Sequence, residues 1–144
     1  MKIFRIALSV SILLISTPGL AAADSAKSGY AKSDNFTVLT PKQATTREAN
    51  QYATAVMQTA ELLRSEIARE WLGQELAPRQ GRTIVTVSFE PHRDAGVTWV
   101  IDDPRRKYHA LYLSTSPELA LGSTLAHEMA HVVLATQFPH PHRL

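Results

Sequence analysis

The residues in this chain best suited to chemistry stand together near its end, in Thr124-Leu125-Ala126-His127-Glu128-Met129-Ala130-His131-Val132-Val133. His127 and His131 are four positions apart. On an α-helix that spacing stacks two side chains on one face. Two imidazoles so placed reach one metal ion at about 2.0–2.1 Å, the distance of a zinc–nitrogen bond. Glu128 is rotated by about 100° from His127, beside the metal rather than on it. There it lies within reach of a water on the ion and can act as general base. Leu125, Ala126, Met129, Val132, Val133 and Leu134 surround the triplet, so the helix is expected to be buried around its polar groups. Burial without partners would cost several kcal/mol, and a metal supplies the partner.

The other histidines are assigned differently. His92 and His109 read as turn and strand residues, not ligands. Asp102 and Asp103 read as turn formers. His140 and His142 follow the helix in a Pro-His-Pro-His tail and are the alternatives for a third ligand. The chain has no cysteine, so any metal is held by His and carboxylate, and no disulfide holds the fold. No Tyr, His or Arg is assigned as oxyanion stabiliser.

Several elements must position this helix. Residues 1–23 read as a secretory signal peptide. Lys2 and Arg5 form a positive start, Ile6 to Ile15 an apolar run, and Ala21-Ala22-Ala23 a cleavage site. The run is short for a bilayer span, so no stable membrane anchor is expected after cleavage. The destination is outside a bacterial cell or in its periplasm. The whole chain carries 15 Lys and Arg against 13 Asp and Glu; without Lys2 and Arg5 the counts are 13 and 13. A near-neutral mature protein argues against a nucleic-acid partner. Residues 24–34 are small and polar and read as a flexible leader.

From residue 35 the pattern is globular. NFTVLT, residues 35–40, alternates as a strand. Thr40, Pro41 and Gln43 then look like an N-cap, first helical position and capping box. Ala49, Tyr52, Ala53, Val56, Met57, Ala60, Leu63, Ile67 and Trp71 form one apolar stripe of a long helix that ends at Gly73. Residues 83–90, 97–101 and 109–114 read as strands, the last two as an antiparallel hairpin. Ser116 and Pro117 start the motif helix, expected to run unbroken to Gln137. The fold class is α+β, with a small, mostly antiparallel sheet packed on that helix.

With these residues in view, the chain resembles the N-terminal part of a zincin metallopeptidase of the gluzincin, peptidase MA-like, type. The likeness covers about residues 35–144. It is carried by NFTVLT, by Ala68-Arg69-Glu70-Trp71-Leu72-Gly73, by the three strands and by residues 125–133. The resemblance implies peptide-bond hydrolysis with Zn²⁺ on His127 and His131 and Glu128 as base. It implies a third ligand from the Glu of a Pro-x-Trp-x-x-Glu-Gly segment after the motif helix. That segment is absent, and Leu144 stands 13 residues after His131, so the domain 35–144 is expected to be incomplete at its C-terminus. The metzincin extension fails, because Leu134 and Gln137 stand where it needs Gly and His. The resemblance also implies that the strand from His109 to Ser114 is the sheet edge, where an extended peptide substrate pairs. Two alternatives accompany this reading: a non-catalytic periplasmic module that binds metal or a partner, and an inactive fragment of a longer peptidase.

Overall fold

A computed structural model describes residues 27–90, 92–103 and 105–138. The signal-peptide reading of residues 1–23, and His140 and His142, lie outside the described residues. The architecture is α+β: β1 (Ser28–Lys32), β2 (Phe36–Lys42), α1 (Thr46–Leu72), β3 (Thr83–Phe89), β4 (Ala95–Asp103), β5 (Arg106–Thr115), α2 (Pro117–Ala120) and α3 (Ser123–Gln137). The strands form one sheet in the order β1-β2-β3-β5-β4. β2, β3 and β5 run parallel, while β1 and β4 are antiparallel to their neighbours. The sheet is therefore mixed, not mostly antiparallel. Two crossovers, the helix α1 between β2 and β3 and the strand β4 between β3 and β5, produce parallel neighbours that strand patterns do not announce.

One face of the sheet carries the core. Phe36, Val38, Val85, Val87, Leu111 and Leu113 point inward and meet Ala53, Val56 and Ala60 of α1 and Leu125, Met129 and Val132 of α3. The predicted α1 stripe is present through Ile67, but Trp71 is 53 % exposed. Tyr52 ties the layers together. Its hydroxyl donates to Pro117 O at 2.9 Å and its ring meets Phe89 edge-on at 5.2 Å. Burial and nearby Glu118 push its pKa up to about 12.

Three local expectations are corrected. Residues 28–32 are an edge strand, not a flexible leader. Gly29 and Ala31 are small because they face α1; a Cβ on Gly29 would overlap Ala49 O and Thr40 Oγ1. Tyr30 N–H donates to Asn50 Oδ1, which pins the strand to the helix. Next, β2 continues through Pro41, and α1 is capped at Thr45. There Thr45 Oγ1 accepts from Glu48 N–H while Glu48 Oε2 accepts from Thr45 N–H, and this reciprocal cap displaces the one expected at Thr40. Pro41 is tolerated because β3 pairs only with residues 36–39 of β2. Gly73, with φ +70°, ends the helix as expected. Finally, the motif helix is interrupted at Leu121-Gly122, so that α2 and α3 are separate.

Arg64 was absent from the sequence reading. It lies on the buried side of α1, 6 % exposed. Its guanidinium donates to Leu76 O (3.3 Å), Ala77 O (2.7 Å) and Gln80 O (3.0 Å). This fastens the α1–β3 connection, where Arg79 adopts φ +65° with its N–H on Asn35 Oδ1 at 2.7 Å. Arg64→Met keeps the volume and leaves those carbonyls unpaired. It is expected to lower unfolding free energy by about 2–3 kcal/mol, read by urea denaturation. A change within about 0.5 kcal/mol, the range of ordinary surface substitutions, would contradict the role.

Candidate metal and catalytic site

The site is where α3 crosses the end of the sheet. Thr124, Leu125, Glu128, Met129, Val132 and Val133 are the buried residues of α3. His127 and His131 fall on the opposite, open flank. The expected burial of the whole triplet therefore holds for Glu128 alone, which is 5 % exposed; both imidazoles are exposed. The 100° offset that separates Glu128 from His127 turns Glu128 toward the sheet, where it lines the floor of the groove that both imidazoles overlook.

The two imidazoles meet. His127 Nε2 and His131 Nε2 are 3.3 Å apart, with ring planes at 76°. Two donors at about 2.05 Å from one tetrahedral ion stand roughly 3.3 Å from each other. The pair thus has the separation of two ligand positions on one tetrahedral ion. Among the described residues no third His, Cys, Asp or Glu completes a metal-ligating group.

Glu128 is held from β4. Thr98 Oγ1 donates to Glu128 Oε2 at 2.6 Å and also lies 3.3 Å from Glu128 O. Oε1 has no hydrogen-bond partner among the described residues. Gly96, two residues earlier on the same face of β4, makes room: a Cβ there would overlap Glu128 Cγ, Cδ and Oε1. At the start of β4, Asp94 accepts hydrogen bonds from Thr115 at 3.2 Å and from Thr124 in the first turn of α3. Strand and helix are joined at both positions. The sequence reading missed Asp94, Gly96 and Thr98. Their signal was the alternation of small and hydroxyl residues on one face of a strand otherwise rich in large apolar side chains.

An open groove of about 740 Å³ runs between α3 and β4, lined by Gly96, Thr98 and Val100 below and His127, His131 and Phe138 above. β4 is the strand at this end of the sheet. The strand from His109 to Ser114, expected at the edge, belongs to β5 and is enclosed between β3 and β4. The hairpin partner takes the edge because β4 folds outward over β5, pairing from Ala95↔Ser114 to Asp103↔Arg106.

The remaining histidines are apart from this pair. His92 is an exposed turn residue. His109 is 5 % exposed, and burial lowers its pKa, opposed by its contact with Gly81 O at 3.4 Å. A carbonyl only accepts, so Nδ1 carries the proton there. Asp102 pairs with Lys107 at 3.2 Å beside the turn it was assigned to. No helix among the described residues is long and apolar enough to cross a membrane.

Compared with known proteins, the chain matches no family model, no curated protein and no solved structure.

Two outcomes are expected. Gly96→Ala forces the Glu128 carboxylate off Thr98 and costs about 1–3 kcal/mol of stability, read by thermal or urea unfolding; an unchanged midpoint would contradict the close approach. His109 titrates below its usual value in the folded state and near 6.5 when unfolded. The unfolded chain then binds more protons, so stability from this group is complete above about pH 6.5 and declines as pH falls through the folded value. His109→Gln flattens the unfolding midpoint against pH in that window; an unaltered slope would remove His109 as its cause.

Proposed function

We propose that this chain carries the zinc site of a secreted or periplasmic metallopeptidase of the gluzincin type, on a zincin-like subdomain. The observation that carries the reading is the 3.3 Å separation of His127 Nε2 and His131 Nε2, one helical turn apart over an open groove, with the Glu128 carboxylate beside them. Both imidazoles act as neutral ligands through Nε2. Zn²⁺ held there supplies Lewis acidity, which brings the ionisation of water toward neutral pH.

The other steps belong to the chain. Thr98 occupies Glu128 Oε2 and leaves Oε1 to take a proton from the attacking water. The same carboxylic acid then returns it to the leaving amine. β4 offers its free edge to an extended peptide, which would add to the sheet antiparallel or parallel through main-chain hydrogen bonds. Val100, Leu134, Ala135 and Phe138 line the groove beyond His131 and favour an apolar side chain near the scissile bond. Third ligation falls to His140, to His142 or to the Glu that the family pattern places after the motif helix. A second reading, metal binding without catalysis, is favoured by the two-ligand set among the described residues.

Calorimetric titration with Zn²⁺ is expected to show one site, lost in His127→Ala and in His131→Ala. Peptide hydrolysis is expected to vanish on chelation and to fall by about 10²–10⁴ in Glu128→Gln, while that variant still binds the ion. Absence of zinc binding overturns both readings. Zinc binding without hydrolysis supports the second, and full activity in Glu128→Gln removes the proposed base.

A further inference from the structure

A cleft of about 450 Å³ opens where β2 and β3 begin, on the side of the sheet away from the helices. Arg82, Arg105 and Lys107 line it, with Thr37 and Ile84 in its wall. Arg82 alternates with buried Thr83 and so shares the face of Ile84. Its backbone is fixed, because Arg82 O accepts from His109 N–H at 2.8 Å. Its guanidinium has no hydrogen bond or ion pair among the described residues. Lys107 meets Asp102 at 3.2 Å, an exposed pair that contributes little and exchanges with other anions. Beside the cleft the strand registers set side chains in rows. The nearer row is Lys32, Thr37, Ile84, Ala110 and Trp99, and the next is Tyr30, Leu39, Thr86, Tyr112 and Val97. Tyr30, Leu39, Ile84, Val97, Trp99 and Tyr112 are 37–58 % exposed. Among the described residues no Asp or Glu lines the cleft or stands in either row.

We infer that the cleft takes a headgroup phosphate of an anionic phospholipid membrane, and that the rows beside it rest on the membrane surface. Charge selects that occupant first. Three cations around a cleft without a carboxylate complement a phosphate, and a guanidinium binds phosphate oxygens through two parallel N–H donors. The neighbouring side chains select it again. Trp99, Tyr30 and Tyr112 carry a polar atom on an aromatic body, the kind of side chain that gathers at the boundary between headgroups and acyl chains. Leu39, Ile84 and Val97 stand among them and suit the apolar side of that boundary. The arrangement excludes a nucleic acid, which presents a phosphate about every 3.4 Å along a strand and calls for cations along its whole path. Here the three cations are gathered at one end, and aliphatic and aromatic side chains hold the rest. The contact is with a surface and crosses nothing, so salt weakens it. His127 and His131 lie on the helical layer, and their groove stays open while the face is occupied.

Co-sedimentation of the purified protein with phosphatidylcholine vesicles, alone or mixed with phosphatidylglycerol, tests this. Binding is expected to the mixed vesicles, to fall as salt rises, and to be at least about ten-fold weaker on phosphatidylcholine alone. Arg82→Gln combined with Lys107→Gln is expected to weaken binding to the mixed vesicles by about ten-fold or more, with the fold unchanged by circular dichroism. Arg47→Gln combined with Arg69→Gln removes the same charge from exposed positions of α1 and should leave binding as it is. Trp71→Phe leaves Trp99 as the one tryptophan, and its emission then shifts to the blue on the mixed vesicles. Equal binding to both kinds of vesicle overturns the inference, and so does binding to neither. Binding that survives the Arg82 and Lys107 substitutions, or a Trp99 emission that does not respond, also overturns it. So does a protein that ignores vesicles while it binds inorganic phosphate or single-stranded DNA, or sediments as a pair of chains.

Discussion

Helix α3 lies against β4 with no side chain between its Glu128 and the backbone of Gly96, and much of the structure follows from that approach. A strand with any larger residue at position 96 would hold the helix off the sheet. Thr98 and Asp94, on either side of Gly96, then convert proximity into hydrogen bonds. The result is a carboxylate that is buried, singly bonded and directed by the sheet, while the helix's other flank faces solvent. A hydroxyl donor satisfies one oxygen of a group whose unpartnered burial would be costly.

The contrast between Glu128 and its neighbours explains how one short motif serves two environments. Helix periodicity turns His127 and His131 together and Glu128 away from them. Because the core begins on the Glu128 side, its side chain is rigid and nearly dry. The imidazoles are open, near enough to share a tetrahedral ion, and oriented by the same helix. The groove they overlook is bounded by an edge strand, a surface whose main-chain groups are unpaired on one side. Two imidazoles, a positioned carboxylate and an open sheet edge therefore converge without a long loop.

The rest of the molecule supports this end of the sheet from a distance. Arg64 anchors the connection from α1 to β3 by donating to three carbonyls, and Tyr52 bridges α1 to the start of α2. Packing all helices on one side gives the site its backing layer and leaves the other sheet face uncovered among the described residues. The groove beside α3 and the open sheet face are two consequences of one two-layer arrangement.

Much of this was legible in the sequence. The α+β class, the long α1 with its Gly73 cap, the β4–β5 hairpin and the helical spacing of His127, Glu128 and His131 are all set by local periodicity and capping chemistry, which neighbouring residues in the chain determine among themselves. What tertiary structure decided depends on residues far apart. Gly29 and Ala31 look like a flexible leader until Ala49 is seen above them. Thr40 and Thr45 both carry cap signals, and pairing of β2 chose the second. The strand from His109 to Ser114 carries the same pattern at an edge or inside a sheet; parallel pairing with β3 on one side and β4 on the other enclosed it. Gly96 and Thr98 gain meaning only when β4 meets α3. Spacing along the chain determines which side chains share a face, but contact between faces determines which are buried, which are open and which hold one another in place.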